Sequence, residues 1–378
     1  METRWEEFWW NYITGPNVVV SSVVSALLNG KMVVLKVPSD LPWRHSMRSA
    51  VHTAFSERSD CSDVVIELID LRDENARQMQ PGRFILDRFA TPTISRGYRE
   101  KSKVTVQDYI SAKDIIKNRI VWIKGIDPDV AGEWIRFCRG FSQRSAAQGL
   151  FVLEVNENTS VTETNLLRVI NFSDCVSNYD VQLFNSFVLG KQKQYSDGWK
   201  KYIAVCTAAI CGVDAEISQT MLQSLDFRVE SPLEGIRQID QMPDFMRRGE
   251  NGSNHVLWHY RNGDMALLEH RLWSAQVQVL FPMIELERVE LIGRYERQIR
   301  EVLASGGITQ YNQILQEPMD VELGTLSYLM GAKMEDGFYT LYIPSEEDRK
   351  GFRFLHTCRN QLAHASCCTP EQVEQLLK

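Results

Sequence analysis

No C-x-x-C pair occurs among the eight cysteines of this 378-residue chain. Cys206 and Cys211 stand five apart and Cys367 and Cys368 are adjacent, so neither spacing suits a tetrahedral zinc site and no metal is expected. The thiols read instead as reduced, mostly buried side chains of a cytoplasmic protein. Long apolar runs are also missing. The longest, Met32–Val37 and Gly149–Val155, are strand-length and far short of the ~20 residues of a membrane helix, so no membrane partner is expected. Met1–Trp10 carries Glu2, Glu6 and Glu7 among its aromatics and lacks the basic start and apolar stretch of a secretory signal. Positive charge is not in excess either: 42 Lys and Arg against 49 Asp and Glu leave a net charge of −7. That excludes a protein that coats nucleic acid through a global field, though a local patch can still serve an enzyme acting on RNA.

What is present is ordinary globular material. Hydrophobic residues make up 44% and charged residues 24%, which excludes a largely disordered chain. The length exceeds what one core usually serves, so two or three domains are expected. Strands and helices alternate through the first half. Val18–Leu28 has helical spacing and Gly30 as its stop; Lys31–Val37 follows as a near-continuous apolar strand of the kind buried on both faces in a parallel sheet. Ser46–Phe55 reads as helix, Asp63–Asp70 as strand, Asp108–Lys117 as helix and Asn118–Gly125 as strand. Ala131–Arg144 is helical, and Gly149–Val155 and Leu166–Asn171 supply two more strands. Helical crossovers between strands imply a mainly parallel sheet.

The loop after the first strand decides against nucleotide chemistry. Ser39-Asp-Leu-Pro-Trp-Arg-His-Ser46, laid on G-x-x-x-x-G-K-[ST], replaces both glycines (Ser39, Arg44) and the lysine (His45), and only Ser46 matches. Such a loop lacks the positive-φ freedom of glycine, and Asp40 sets a negative charge beside any phosphate. The third strand ends in Lys124-Gly125 where an acidic Mg²⁺ ligand belongs, and Asp127 comes two residues late. The layout nonetheless resembles an ATPase core of the AAA/STAND type over residues 15–225, with its chemistry stripped out. Tyr202–Ser218 resembles the helical lid that follows such cores. The resemblance implies a degenerate P-loop fold, with Arg44, His45 and Ser46 as its only candidate nucleotide contacts, no cofactor and no ATP hydrolysis. An α/β domain of other ancestry with a structural job is the alternative.

The middle is loop-rich: Asp226–Asn254 carries Pro232, Pro243, Gly249 and Gly252, and Arg247-Arg248 reads as a solvated basic doublet. Within Trp199–Leu225, Asp214 is placed to cap the second of two helices. Ala266–Leu303 has the longest helical pattern, with a kink or a break into two helices expected near Leu280 because of Pro282 and an end at Gly306-Gly307. Gln310–Gln316, Glu322–Met330 and Glu371–Leu377 read as shorter helices. Ser345 N-caps another, which runs through Phe352, Leu355 and Cys358 into Arg359-Asn-Gln-Leu-Ala-His364.

Arg359-Asn360-x-x-Ala363-His364, at the end of the last long helix, resembles the motif of the HEPN superfamily over about residues 257–378. That resemblance implies a helical domain, a site formed where two protomers meet, and in many members metal-free RNA cleavage within bacterial defence or toxin systems. The residue types suit the chemistry. His364 can serve as base or acid, Arg359 presents a planar fork to phosphate, and Asn360 can orient the imidazole. Arg359 and His364 lie ~140° apart around an ideal helix, so a distorted helix end is needed to bring them together. The structural alternative pairs Arg359 with Glu287 or Glu290 and leaves His364 capping the helix end. His356 reads as a lone solvated histidine, and Trp5, Phe8, Trp9 and Trp10 as a core-docking helix rather than a stacking platform for bases.

The expected architecture is an α/β degenerate P-loop ATPase-like domain at 1–195, a helical lid-like connector at 196–255, and an all-α HEPN-like domain at 256–378. The expected function is an effector or accessory protein of a bacterial defence or toxin system with endoribonuclease activity at Arg359, Asn360 and His364, acting on RNA as a homo-oligomer or within a complex. Two alternatives stay open: a non-catalytic adaptor that holds protein partners, and a regulator that binds ATP without hydrolysing it.

Overall fold

Three apolar runs form the interior of one sheet, because a strand covered on both faces can be apolar at every position. The computed structural model describes residues 4–57, 63–73, 79–99, 103–250, 254–305, 308–310, 313–334 and 337–378. Glu2, Gly252 and the Gly306-Gly307 stop lie outside them. The described chain divides into two compact units. One comprises Met1–Phe184, Gly212–Ile217 and Arg248–His255; the other comprises Asn185–Cys211, Ser218–Arg247 and Val256–Lys378. Residues 196–255, read as one connector, are thus shared between the two units.

The first unit opens with α1 (Trp5–Tyr12) and α2 (Thr14–Leu28), then β1 (Met32–Val37), α3 (Arg44–Ser56) and β2 (Val65–Asp70). Next come α4 (Pro81–Phe89), α5 (Pro92–Gly97), α6 (Val106–Ala112), β3 (Arg119–Lys124), α7 (Pro128–Arg139), β4 (Leu150–Asn156), β5 (Leu167–Asn171) and α8 (Phe172–Cys175). Their starts are chemically marked. Thr105 accepts from the Asp108 amide, and Asp127 caps α7 with Pro128 at its first position. The core-docking reading of the N-terminal aromatics is met: Trp9 and Trp10 are both 0% exposed, and Trp9 stands edge-on to Phe184 at 5.4 Å between centroids.

All sheet pairs are parallel, in the order β2-β3-β4-β1-β5. The β1-to-β2 connection therefore travels one way across the sheet, whereas β2-to-β3, β3-to-β4 and β4-to-β5 travel the other. Since crossovers are right-handed, α3 lies on the opposite face from α7. The side chains agree. Phe151 meets Phe137 of α7 at 5.4 Å, while Glu154, three residues on and so on the other face, meets Arg48 of α3. The reversal of direction falls between β1 and β4, and the crevice beyond their carboxyl ends is where α/β sheets bind ligands.

Among its described residues the second unit is mainly helical, with one short antiparallel strand pair and a single bridge between Lys333 and Tyr339. The chain reaches it through α9 (Asn178–Gly190), and it contains α10 (Asp197–Cys211), most of α11 (Ala215–Ser224), α12 (Pro232–Asp240), α13 (Val256–Arg261), α14 (Met265–Arg294) and α15 (Glu296–Ala304). The strands β6 (Thr309–Gln310) and β7 (Gln313–Ile314) pair antiparallel where a helix was expected. Helices α16 (Leu323–Gly331), α17 (Glu346–Ala363) and α18 (Pro370–Leu376) complete it. Ser345 accepts from the Asp348 amide as its sequence position predicts, and Thr369 and Gln372 form a capping box with Pro370 at the first position. Gln276 of α14 acts as a buried clamp. It donates to the Tyr202 hydroxyl at 3.0 Å and the Cys368 carbonyl at 3.1 Å, and accepts from the Cys368 amide at 2.7 Å.

Of the kink or break expected near Leu280, the break does not occur: α14 runs unbroken for 30 residues with Pro282 inside it, and Tyr295 is its C-cap. Proline removes one intrahelical hydrogen bond, but Leu272, Val279, Leu280, Ile284 and Leu291 stay buried on both sides of it, and that packing outweighs the local cost. Pro282→Ala is therefore expected to raise unfolding free energy by up to about 3 kcal/mol in urea melts. A decrease would show that the proline's bend is needed to seat the helix.

Candidate functional site

Beside the β1–β4 reversal, on the face of the sheet that α3 covers, charged side chains pair with one another. The loop Pro38–Trp43 follows β1 and turns into α3 through Trp43, whose φ of 43° is left-handed. A phosphate-binding loop presents backbone N–H groups to the crevice. Here Arg44 draws carbonyls instead, donating to the Pro38 oxygen at 2.8 Å and the Ser39 oxygen at 3.1 Å. The local polarity is reversed.

Glu154 of β4 occupies the centre. It is 4% exposed and takes both arms of Arg48, at 2.5 Å from Nε and 2.8 Å from Nη2. The Trp122 indole of β3 donates to the same carboxylate at 2.7 Å, and Arg44 lies 3.8 Å away. Burial pulls the Arg44 guanidinium below its usual range, an effect that Glu154 partly offsets. His45 is exposed and Ser46 half-buried. Of the three candidate nucleotide contacts, the structure brings Arg44 into the crevice, where it is committed to carbonyls and near a carboxylate.

The end of β3 carries a cation where a metal-binding acid would stand. Lys124 pairs with Asp70 of β2 at 2.8 Å, and Arg72 binds Asp70 through Nη2 at 2.8 Å. The Arg72 hydrogen bond, followed by Lys124, holds the Asp70 carboxyl far below the ordinary range. Gly125, at φ +69°, is required here: a Cβ would fall 2.3 Å from Asp70 Oδ1.

A second charged cluster borders this loop and was not legible in the sequence. The Trp43 amide donates to Glu216 Oε2 at 2.9 Å, and Arg248 binds both Glu216 and Asp214. His255 Nε2 lies 3.1 Å from Asp214 Oδ2. Asp214, 2% exposed, also accepts from the Glu216 and Ile217 amides at 3.1 Å each, the capping role its position predicts. Arg248 is thus a largely buried ion-pair centre and not the solvated half of a basic doublet. Burial pushes the Asp214 carboxyl up, but Arg248 and His255 together more than reverse this and leave it below the usual carboxylate range. Burial holds Glu216 above that range despite Arg248.

In the helical unit, Arg359 lies half-buried with Nη2 3.9 Å from Glu322 Oε2, in place of the Glu287 or Glu290 pairing considered above. The Asn360 amide faces His356 Nε2 at 2.8 Å. His356 is therefore neither lone nor fully solvated, and it is the imidazole that Asn360 orients. It sits over Gly324, where a Cβ would lie 3.4 Å from its Nε2. His364 is exposed at the C-cap of α17, with its own amide bonded to the Asn360 carbonyl at 3.0 Å. His356, Asn360 and His364 are spaced four apart and follow one stripe of α17. Among the described residues no group of three or more His, Cys, Asp or Glu is arranged to hold a metal ion, and no helix is long and apolar enough to cross a membrane.

No family model matches the chain, and no curated protein matches it. Among solved structures, it is similar to the ORC1 protein of Aeropyrum pernix in complex with DNA, at 12% identity and a TM-score of 0.36 over 82% of this chain and 85% of that one. The Aeropyrum pernix ORC2 protein in ADPNP–ADP complexes matches at 10% identity and a TM-score of 0.30, over 91% and 93% of the two chains. Drosophila ORC bound to poly(dA/dT) DNA and Cdc6 matches at 13% identity and a TM-score of 0.23, over 99% of this chain and 72% of that one.

Two outcomes follow from the charge clusters. Arg48→Ala strands a buried carboxylate and is expected to cost about 3–5 kcal/mol in chemical denaturation, whereas Arg48→Ala combined with Glu154→Leu recovers much of that loss. Asp214 has a depressed folded pKa, so its stabilising contribution is full above the unfolded value of about 4 and is lost as pH falls through the folded one. Acid melts of the wild type should accordingly steepen below about pH 4, and Asp214→Asn should flatten that slope while lowering stability at pH 7.

Proposed function

We propose that this protein is a non-hydrolysing adaptor: an α/β unit resembling a degenerate P-loop ATPase core, stabilised by its own charges, carried with a helical partner-binding unit. One observation carries the reading. Glu154 and the two arginines facing it form a buried ion-pair cluster beside the β1–β4 reversal, near whose carboxyl-end crevice a nucleotide's phosphates would be received. ATP would have to displace a buried carboxylate from Arg48 and would meet carbonyls in place of amides at the loop. It would also find Lys124 where the hydrolytic metal needs an acid. Removing Glu154 from its cations leaves buried charges unpaired, which costs more than phosphate contacts to a half-buried Arg44 return. In this reading the chain serves as an accessory component of a bacterial defence or toxin system and acts through protein partners.

A second reading, metal-independent endoribonuclease activity, draws support from the α17 stripe. His364 is exposed, Asn360 holds a second imidazole on His356, and Arg359 has only a long ion pair to Glu322. Two imidazoles and a guanidinium supply the base, acid and phosphate cation that cleavage through a 2′-hydroxyl needs. A two-fold dimer would double each group.

Separate measurements address the two readings. Calorimetry with Mg-ATP at millimolar concentration should register no binding, and phosphate release should stay at the buffer rate. Saturable heat that Arg44→Ala or Ser46→Ala weakens would overturn the silent-core reading. For the nuclease, single-stranded RNA is incubated with the protein in EDTA. Cleavage that His364→Ala reduces by about 10²–10⁴-fold with the melting curve unchanged would establish it, and no cleavage, or cleavage indifferent to His364, removes it.

A further inference from the structure

An open groove of about 670 Å³ runs between the C-terminal part of α14, the first turns of α17 and the end of α18. Its floor is apolar: Leu291 and Leu355 are 7% and 4% exposed, and Phe354 is half-buried. Its rim is acidic. Of the carboxylates around it, Asp348 is consumed internally by Arg294 at 2.6 Å and by the Tyr295 hydroxyl, and Glu346 pairs with Lys350 at 2.8 Å. Glu287 on α14 and Glu347 on α17 remain, both exposed and without an ion pair among the described residues, one from each of the two longer helices.

Acidic residues in the first turn of a helix complement its dipole, which accounts for part of the charge on α17. It does not account for Glu287, which lies on another helix, nor for Gly351. Glycine inside a helix weakens it, and here packing does not demand it: a Cβ at Gly351 would stand 3.8 Å from Leu291 Cδ1, an ordinary contact. What the missing side chain does is keep the groove floor clear. An apolar trough flanked by uncompensated carboxylates is complementary to a helix with an apolar stripe bordered by Lys or Arg.

We infer that this groove is a docking site for a basic amphipathic helix of a partner protein. The inference rests on the adaptor reading, to which it supplies the partner's chemistry, but its test is independent of nucleotide. A fluorescein-labelled peptide of about 15 residues, built from Leu and Lys on a helical pattern, is titrated into the full-length protein by fluorescence anisotropy. Its twin has Glu at every Lys. The Lys peptide is expected to bind at least about tenfold more tightly than the twin, with the difference shrinking in high salt. Glu287→Lys with Glu347→Lys should weaken it by about tenfold, and Gly351→Gln should weaken it while leaving the thermal melt unchanged or raised. A control pair of equal charge, Glu296→Lys with Glu301→Lys on α15, should leave binding intact. Equal binding of the two peptides, indifference to the groove substitutions, or equal loss in the control pair would sink the proposal. Such a failure leaves the silent crevice standing, and nucleotide binding would remove the adaptor reading without touching the groove.

Discussion

Glu154 is the constraint around which the α/β unit is organised. A carboxylate on a central strand can stay charged only if cations and donors are brought to it, and a buried ion left alone costs several kcal/mol. Arg48 supplies a two-point contact from α3, Trp122 supplies an indole donor from β3, and Arg44 adds charge from the helix start. Two strands and a helix are thereby tied to one atom pair. The same arrangement sets the loop before α3, because Arg44 holds the Pro38 and Ser39 carbonyls while Trp43 turns left-handed to reach Glu216. A place in the topology that favours anions holds a structural ion-pair centre.

The Asp214 cluster repeats that logic. Arg248 balances Asp214 and Glu216, His255 closes on Asp214, and the carboxylate caps α11 at the same time. Charges that would read as solvated in isolation are thus largely buried, and each is satisfied by partners distant in the chain. Among the described residues of the helical unit the buried polar side chains are Asn185, Thr207, Ser218, His259 and Gln276, none of them a carboxylate, lysine or arginine. Gln276 bridges Tyr202 and Cys368, and Trp273 donates to the Leu362 carbonyl at 2.6 Å, which fixes the end of α17. The motif Arg359–His364 consequently sits on a firmly seated helix end, where Arg359 and Asn360 are half-buried and His364 is exposed. The groove at the opposite end of α17 has Leu291 and Leu355 in its floor and the carboxylates of Glu287 and Glu347 at its rim.

Much of the architecture was legible because hydrophobic period reports burial directly. All five strands and most of the predicted helices appear within a few residues of their expected bounds, since near-continuous apolar runs and i, i+3, i+4 spacing leave little choice. The caps at Ser345 and Asp214 were legible for the same local reason. At Pro282 the sequence left a kink or a break open; the helix is continuous, because helix breaking is a local tendency and the burial of α14 on both sides is a tertiary one. Gln310–Gln316 misled because so short a polar segment carries no reliable period; β6 and β7 pair across it instead.

The sequence by itself determined where the apolar faces fall, that the loop after the first strand lacks the glycines and lysine of a phosphate-binding loop, and that Arg359, Asn360 and His364 close the last long helix. These are properties of neighbours along the chain, and a one-dimensional pattern suffices to state them. Only the tertiary structure decided which charge meets which. It gave Arg48 to Glu154, Arg248 to Asp214, Asn360 to His356 and Arg359 to Glu322. Three of these pairs join residues that the sequence holds more than thirty positions apart, and even the short one depends on a choice between two imidazoles. An ion pair depends on distance in space and on burial, and neither quantity is written in the spacing of residues along a strand or helix.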